Sequence, residues 1–247
     1  MFMKRVVLMY HDIGKDSGFQ NDTAQKYKVG IEEFEKHVKA IRDYLNQNNL
    51  DSESVAFTFD DGGISFYTNA APILEKYEFK GVFFIATEYI GTEGFLSENQ
   101  IKELEGKGHT IGSHSHTHPE RMDIMSESDL HSEWSKSTRI LKEILRHEIK
   151  TASIPNGYSS KKVTDVMHAC GIHDIYTSSP TTKKEKFKGS NIIGRYDISS
   201  SETAEYVVSL ISSSSLRFKK KIRHDILGVA KFVLGDTYLK IRQKLLR

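Results

Sequence analysis

Short runs of apolar, β-branched and aromatic residues recur along the chain, and each is followed by a polar turn and a segment of helical periodicity. Runs of this length that end in turn residues are typical of buried strands, whereas apolar residues three and four positions apart are typical of helices. The predicted strands are 5–9, 55–59, 81–85, 110–113, 151–154, 174–177 and 192–195, and the predicted helices lie near 31–48, 67–78, 97–107, 126–147 and 160–170.

This alternation of strands and helices predicts an α/β protein with a parallel sheet and right-handed crossovers, either open or closed as a barrel. Segment 178–191 has no periodicity and is predicted to be a loop. Barrel enzymes collect their chemistry at the carboxyl ends of the strands, and polar residues fall at those ends here, which favours the barrel. The residues concerned are His11, Asp60, Asp61, His114 and Arg195.

The composition is that of a globular chain of one large domain or two small ones, with 38% hydrophobic and 28% charged residues among 247. A single cysteine excludes an intramolecular disulfide. The apolar run near the amino terminus is too short for a signal peptide, and no stretch reaches the roughly 18 apolar residues of a membrane span. We therefore expect a cytoplasmic protein.

Charge is distributed unevenly. Residues 216–247 carry ten Lys and Arg against two Asp, a net charge of +8, whereas the whole chain carries +2 and the remainder therefore −6. We predict a barrel domain at 1–211 and, at 212–247, a serine linker followed by a basic amphipathic helical tail, broken at Gly235. Two interpretations stay open for the tail: peripheral contact with an anionic membrane, or packing against the barrel. Nucleic acid is disfavoured because aromatic residues do not alternate with the basic ones.

Two motifs carry candidate chemistry. Residues 58–62 read Thr-Phe-Asp-Asp-Gly at the end of a predicted strand, and residues 114–119 read His-Ser-His-Thr-His-Pro. Two carboxylates with two histidines four positions apart can supply three ligands to a hydrolytic metal ion and one spare base. Taken singly, the motifs could instead be an acidic turn and a surface histidine cluster. His116 points elsewhere and is not predicted to be a ligand.

In this order, the two motifs resemble the first two motifs of the NodB-homology polysaccharide deacetylases (carbohydrate esterase family 4), over about residues 5–200. The resemblance implies a distorted (β/α)7 barrel that removes N- or O-acetyl groups from sugars with a divalent metal. It implies Asp61, His114 and His118 as metal ligands and Asp60 as general base. Zn²⁺ is the favoured cofactor, with Co²⁺, Ni²⁺ and Mn²⁺ as alternatives.

Two other motifs depart from the family pattern. The third usually reads Arg-x-Pro-Tyr/Phe-Gly, but residues 153–157 read Ser-Ile-Pro-Asn-Gly. Asn156 is predicted to offer its main-chain N–H to the oxyanion, and Arg195 to replace the missing arginine; a surface salt bridge is the alternative for Arg195.

The Leu-x-His motif that normally supplies the general acid is absent near the carboxyl end. Instead, residues 8–12 read Leu-Met-Tyr-His-Asp, which resembles the permuted poly-N-acetylglucosamine deacetylases. His11 is therefore the predicted acid, unless it merely ends its strand. In a closed barrel the first strand can neighbour the last, so His11 can reach the metal pocket.

The predicted function is removal of acetyl groups, N-acetyl rather than O-acetyl, from a polysaccharide, oligosaccharide or lipid-linked sugar. Two alternatives stay open: hydrolysis of a non-sugar C–N amide at the same site, and a pseudoenzyme that only binds glycan. Three aromatic residues on predicted loops, Tyr89, Phe95 and Tyr158, could stack on sugar rings.

Overall fold

The computed structural model describes residues 5–234, and for residues 228–234 it describes only the backbone. The predicted break at Gly235 lies outside the described residues. The strands are β1 Val6–Tyr10, β2 Val55–Phe59, β3 Gly81–Ile85, β4 Thr110–Ser113, β5 Thr151–Ser153, β6 Asp174–Tyr176, β7 Lys184–Phe187, β8 Ser190–Ile193 and β9 Tyr196–Asp197. The α-helices are α1 Asp22–Gln25, α2 Ile31–Gln47, α3 Ala71–Lys76, α4 Glu98–Gly106, α5 Glu127–Leu145, α6 Lys161–Ala169, α7 Ala204–Ser212 and α8 Ser214–Leu234.

Local sequence signals explain where the helices begin. The Ser97 hydroxyl accepts from the Gln100 N–H, and the Gln100 side chain accepts in return from the Ser97 N–H, a complete capping box for α4. Ser126 caps α5 by accepting from the Asp129 N–H. Within the helices, an apolar stripe faces the sheet; on α2 it comprises Phe34, Val38, Ile41 and Leu45.

The sheet has the strand order β7-β8-β6-β5-β4-β3-β2-β1-β9, and its pairs are parallel except β7 with β8. β8 pairs with β6, and β9, only two residues further along the chain, pairs with β1. Segment 190–197 therefore joins the two ends of a curled parallel sheet. The predicted distorted (β/α)7 barrel is confirmed, with this segment as its seventh parallel strand.

Segment 178–191 contains a hairpin arm as well as loop, so the prediction of a loop throughout was wrong. β7 pairs antiparallel with β8 across a turn at Lys188 and Gly189, which both have positive φ (47° and 94°). The exposed, charged side chains of β7 give no apolar alternation by which the strand could be recognised.

Helix α7 was also absent from the prediction. It ends at Ser212 and α8 begins at Ser214, so only Ser213 separates two helices within the predicted serine linker. In the described part of the chain, no helix is both long and apolar enough to cross a membrane.

Apolar residues fill both faces of the sheet. The largest core lies between β1–β3 and the helices α2, α3 and α7, and a second lies between β5, β6, α5 and α6. A smaller cluster of Val7, Ala56, Phe84 and Tyr176 occupies the opposite face of the strands, inside the curl. The guanidinium of Arg195 lies 5.5 Å from the Phe84 ring centroid, so the inner cluster leads directly to the polar site.

Candidate active site

The two neighbouring carboxylates at the end of β2 point to different partners. Asp61 has a φ of 89° and Gly62 a φ of 94°, so the chain turns sharply as soon as the strand ends. A Cβ at Gly62 would crowd Ile85 on β3, which adds a steric reason for glycine. As a result Asp60 contacts Arg195, whereas Asp61 contacts the two histidines.

Asp61, His114 and His118 form a cluster in which one ligand atom from each lies within 4.8 Å of the others. Asp61 Oδ1 is 3.4 Å from His114 Nε2 and 3.3 Å from His118 Nε2. Two ligand atoms about 2.1 Å from one tetrahedral ion are themselves about 3.4 Å apart, so this donor set fits a divalent cation. His116 is not in the cluster; its Nδ1 lies 2.9 Å from Thr87 Oγ1.

Burial alone would raise the pKa of Asp61, but its hydrogen bonds with His114 and His118 and the charge of His11 outweigh burial and hold it well below its usual value. Asp61 is therefore ionised at neutral pH. A carboxylate beside two imidazoles is the charge state that a divalent cation requires.

Helix α5 holds the loop that carries both histidines. One Glu133 carboxylate oxygen accepts from the N–H groups of His116 and Thr117, at 2.9 and 2.8 Å, and the other accepts from the Thr117 hydroxyl. Ser115 and His118 have positive φ values of 64° and 57°, an uncommon conformation that these bonds stabilise. Sequence reasoning missed Glu133, although a charged residue on the otherwise buried face of a helix was an available signal.

Asp60 is held by residues from opposite sides of the barrel. Arg195 Nη1 and Nη2 donate to Asp60 Oδ1 and Oδ2 at 2.6 and 2.7 Å, a bidentate pair. The arginine side chain is 0% exposed, so this ion pair is buried and the surface alternative was wrong. Ser153 Oγ donates to Asp60 Oδ1 at 3.0 Å and lies 2.5 Å from His114 Nδ1.

Burial would raise the pKa of Asp60, but the charges of Arg195 and His114 outweigh it, and the net pKa is below its ordinary value. Asp60 is therefore a buried carboxylate that stays ionised beside the cluster of Asp61, His114 and His118, where it can accept a proton.

His11 directly follows β1, beside the same pocket. Tyr10 pairs with Phe59 across β1 and β2, so His11 and Asp60 leave neighbouring strands at the same level. The ring of His11 lies against Tyr27, with centroids 4.9 Å apart. Nδ1 of His11 is buried and has no hydrogen-bond partner among the residues that the structure describes.

Asn156 is exposed in the turn Pro155–Gly157, with a φ of 55°. Its side-chain amide donates to the Pro119 carbonyl at 3.4 Å, which places the third motif beside the loop that ends in His118.

The three loop aromatics separate into two groups. Tyr89 and Phe95 stack with centroids 4.9 Å apart, and Phe19 packs against both. Tyr158 lies elsewhere, under the guanidinium of Arg121.

With this geometry in view, comparison with known proteins identifies the family. The family model described as "Polysaccharide deacetylase" matches residues 46–175, more than half of the chain, and the chain belongs to this family. The match includes β2 to β5 and the residues Asp60, Asp61, His114 and His118.

Individual relatives are more distant. Over 191 residues the chain is 28% identical to the Bacillus subtilis (strain 168) protein named "Putative polysaccharide deacetylase YxkH", covering 72% of this chain and 65% of that protein. It is 24% identical over 201 residues to the poly-beta-1,6-N-acetyl-D-glucosamine N-deacetylase of Staphylococcus aureus (strain MRSA252), covering 68% and 69%. The chain thus spans about two thirds of the length of these curated relatives, just under that share for the first.

Solved structures share the fold. The deacetylase PplD of Streptococcus pyogenes, solved in complex with acetate, superposes with a TM-score of 0.69 at 22% identity, covering 85% of this chain and 99% of that chain. IcaB from Ammonifex degensii gives a TM-score of 0.69 at 21% identity, covering 85% and 97%.

Proposed function

We propose that this chain removes acetyl groups, N-acetyl in preference to O-acetyl, from a polysaccharide, oligosaccharide or lipid-linked sugar. The observation that carries the proposal is the cluster of Asp61, His114 and His118 beside the ion-paired Asp60. Membership of the polysaccharide deacetylase family and a relative named as an N-deacetylase support the substrate class.

A divalent cation, Zn²⁺ in the first place, would be held by Asp61, His114 and His118, and when bound would polarise the acetyl carbonyl and lower the pKa of a water molecule. Asp60 accepts a proton from the water molecule while the water oxygen attacks the carbonyl carbon. Arg195 and Ser153 fix the orientation of Asp60, so that its lone pairs face the pocket in one geometry.

Two further groups complete the proposed reaction. The main-chain N–H of Asn156 donates to the developing oxyanion from the turn beside His118. His11 donates a proton to the departing sugar amine as the C–N bond breaks, and acetate is released. The position of His11 supports this role, because Tyr10 pairs with Phe59 and His11 therefore leaves β1 at the level at which Asp60 leaves β2.

The decisive experiment measures acetate released from a panel of N- and O-acetylated oligosaccharides by metal-stripped protein, with and without added Zn²⁺, Co²⁺, Ni²⁺ or Mn²⁺. We expect release that depends on added metal. Asp60→Asn should bind the metal as tightly as the wild type but lower kcat by about 10²–10⁴-fold, since a proton acceptor is lost while the ligands remain.

Other outcomes select the alternatives. Metal binding with hydrolysis only of small amides would indicate a non-sugar amidase, and glycan binding without acetate release would indicate a pseudoenzyme. A fully active Asp60→Asn protein would refute the assignment of the base.

We also propose peripheral membrane contact through α8. Four of the six large apolar residues that are exposed in the described part of the chain lie on this helix, at Phe218, Ile222, Ile226 and Leu227. Residues 216–227 also carry five Lys and Arg against one Asp. An apolar stripe flanked by cations is the pattern of a helix that lies on an anionic lipid surface.

The first turns of α8 are fixed to the barrel, which supports an outward orientation of the stripe. Arg217 Nη1 donates to the carbonyls of Leu210 and Ile211 at the end of α7, and Lys220 lies against Asp197. Arg217 and Lys220 therefore face the barrel, whereas Phe218, Ile222 and Ile226 lie on another face of the helix.

Flotation with phosphatidylglycerol and with phosphatidylcholine vesicles tests this contact. We expect the full chain to float with the anionic vesicles and the triple variant Phe218→Ser, Ile222→Ser, Ile226→Ser to stay at the bottom. Ile124→Ser, which removes an exposed apolar side chain elsewhere, is the control. Equal flotation of all forms would refute membrane contact; a cytoplasmic location itself stays a prediction that cell fractionation can check.

A further inference from the structure

A buried carboxylate outside the proposed reaction joins three loops beside the site. Asp12 follows His11, and its Oδ1 accepts from the hydroxyls of Ser17 and Ser65 at 2.6 and 2.8 Å. The Ser65 hydroxyl in turn accepts from the Ile13 N–H, and the Ser17 hydroxyl accepts from the Ser65 N–H. Asp12 is buried and its Oδ1 accepts both of these hydrogen bonds inside the protein, so its function is to position the chain around it.

Close backbone contacts hold the same three loops together. The Gly94 carbonyl accepts from the N–H groups of Gly18 and Ile64, at 2.8 and 2.9 Å. A Cβ at Gly18 or Gly63 would collide with the Asp12 carboxylate, so glycine is required for the loops to approach it. Segments 12–19 and 91–96 are thereby fixed to residues 62–65, which directly follow the two active-site aspartates.

A buried lysine fixes the first of these loops from its other side. Lys28 Nζ donates to the carbonyls of Ser17 and Lys15, at 2.6 and 3.0 Å, and the lysine is only 6% exposed. Residues 15–19 are therefore held by side-chain bonds at Ser17 from two directions, although they contain no helix or strand.

These contacts fix the position of Phe19 next to the proposed metal ligands Asp61, His114 and His118. Its ring centroid lies 5.1 Å from that of His118, 4.9 Å from Tyr89 and 5.1 Å from Phe95. Phe19 and Tyr89 are partly exposed, as is His118, whose side chain is 18% exposed. We name Phe19, Tyr89 and Phe95 the aromatic wall.

We propose that the aromatic wall is a specificity-determining subsite that stacks on the apolar face of a sugar ring adjoining the acetylated ring. This inference rests on the proposed deacetylase function. The C–H face of a pyranose is apolar and flat, and rigid aromatic rings bind such a surface at low entropic cost. Two partly exposed rings, Phe19 and Tyr89, packed on the buried Phe95 at the edge of the proposed metal site, thus favour an oligomeric glycan over a single acetylated sugar.

The test compares substrates of different length with Phe19→Ala in the full-length, metal-loaded protein. On N-acetylglucosamine oligomers we expect KM to rise by about tenfold with little change in kcat, since a contact present in both ground and transition state is lost. On a small acetate ester such as 4-nitrophenyl acetate, kcat/KM should stay unchanged. Metal affinity should also stay unchanged, because Phe19 contacts His118 only through its ring and the hydrogen bonds from Glu133 that hold the histidine loop are kept.

Matched variants separate stacking from a loss of packing. Phe19→Tyr should restore the oligomer KM, whereas Phe187→Ala, the same truncation in the β7–β8 hairpin, should leave every parameter unchanged. Ser17→Ala should raise the oligomer KM in the same direction, and in combination with Phe19→Ala it should add little. Equal KM values for wild type and Phe19→Ala on oligomers would overturn the proposal.

Failure of the proposed function would give a different result. In that case the wild type releases no acetate from any glycan, and the aromatic wall is then tested by binding alone, with an N-acetylglucosamine oligomer titrated into Asp60→Asn and into Asp60→Asn, Phe19→Ala. A Kd that is about tenfold weaker in the double variant would still support the subsite, and equal Kd values would refute it.

Discussion

At the residue scale, the charge on Asp60 is set by partners that are far apart in sequence. Ser153 comes from β5, where the family pattern has an arginine, and Arg195 comes from the segment that joins the sheet ends. The sequence could predict Arg195 as a replacement because it falls at the end of a strand. It could not predict the bidentate geometry or the bridge that Ser153 makes to His114, because both depend on how strongly the sheet curls.

Arg195→Met should leave a buried carboxylate without its counter-ion. We expect a loss of about 3–5 kcal/mol in the free energy of unfolding at pH 7, measured by urea denaturation. The pKa of Asp60 should rise, so the acid limb of the pH–rate profile should move to higher pH.

The sign of the pH effect on stability follows from the same pair. In the wild type the lowered pKa of Asp60 contributes stability above the unfolded value of about 3.9, and that contribution is lost as the pH falls further. The difference between wild type and Arg195→Met should therefore shrink below about pH 4. Arg139→Met, which removes an exposed pair with Glu143, should cost under about 1 kcal/mol. An unmoved acid limb in Arg195→Met would contradict the pairing.

Glu133→Gln should weaken metal binding without touching a ligand. The amide oxygen can still accept from the N–H groups of His116 and Thr117, but without the charge of the carboxylate these bonds become weaker and the loop that carries both histidines is held less firmly. We expect about a 10–100-fold loss of Zn²⁺ affinity, measured by competition with a chromogenic chelator. Glu143→Gln, on the exposed face of the same helix, is the control, and equal affinities would show that the loop keeps its shape without Glu133.

At the scale of helices and strands, the strongest periodic patterns gave correct elements, and the weak ones did not. β2, β3 and β4 lie where the sequence predicted them because they are short apolar runs buried by the sheet and its helices. β7 was not predicted because its residues alternate between positive and negative charge and not between apolar and polar side chains. α7, with its β-branched valines and isoleucine, resembles a strand locally and becomes helical through its packing on α2.

His37 links α2 to its neighbours and gives a pH prediction. Its Nε2 lies 3.0 Å from the Glu202 carbonyl and its Nδ1 3.2 Å from the Tyr10 hydroxyl. The carbonyl can only accept, so Nε2 carries the proton and Nδ1 accepts from Tyr10, which describes a neutral imidazole. Burial lowers the pKa of His37, and the hydrogen bond to Glu202 and the charge of Glu33 offset this only in part.

The unfolded chain therefore takes up a proton at His37 at a higher pH than the folded protein does. The contribution of His37 to the free energy of unfolding should be complete above the unfolded pKa of about 6.5, and it should decrease as the pH drops below that value. His37→Gln should reduce the slope of the urea midpoint between about pH 7 and pH 5. His131→Gln, at an exposed position on α5, should keep the wild-type slope; an identical slope in His37→Gln would contradict the assignment.

At the scale of the whole molecule, closure of the sheet and assembly of the site depend on one segment. Residues 190–197 pair with β6 at their start and with β1 at their end, and Arg195 lies between the two pairings. The sequence predicted a barrel from the placement of polar residues, but periodicity alone could not show that the last strand divides into β8 and β9.

Gly194→Ala should disturb both closure and catalysis. A Cβ at this position would collide with the Ser179 carbonyl and with Thr181, so the segment would have to shift. We expect a loss of about 1–3 kcal/mol in the free energy of unfolding and a fall in kcat, since Arg195 moves with the backbone. Gly30→Ala is the control: a Cβ at Gly30 meets no atoms within 4 Å, so this variant should have nearly unchanged stability. Gly91→Ala would be a poor control because Gly91 has a positive φ. Unchanged kcat and stability in Gly194→Ala would show that the segment tolerates the shift.

The division of the site between the first strand, the middle and the last strand has a consequence for biosynthesis. During translation the three proposed metal ligands, at 61, 114 and 118, emerge well before Arg195. Under the proposed function, a nascent chain thus contains all the ligands early, yet Asp60 lacks its counter-ion until the final strand has been made and paired with the first. Under the proposed function, a chain that ends before Arg195 is therefore expected to carry all three ligands and yet lack an ion-paired base.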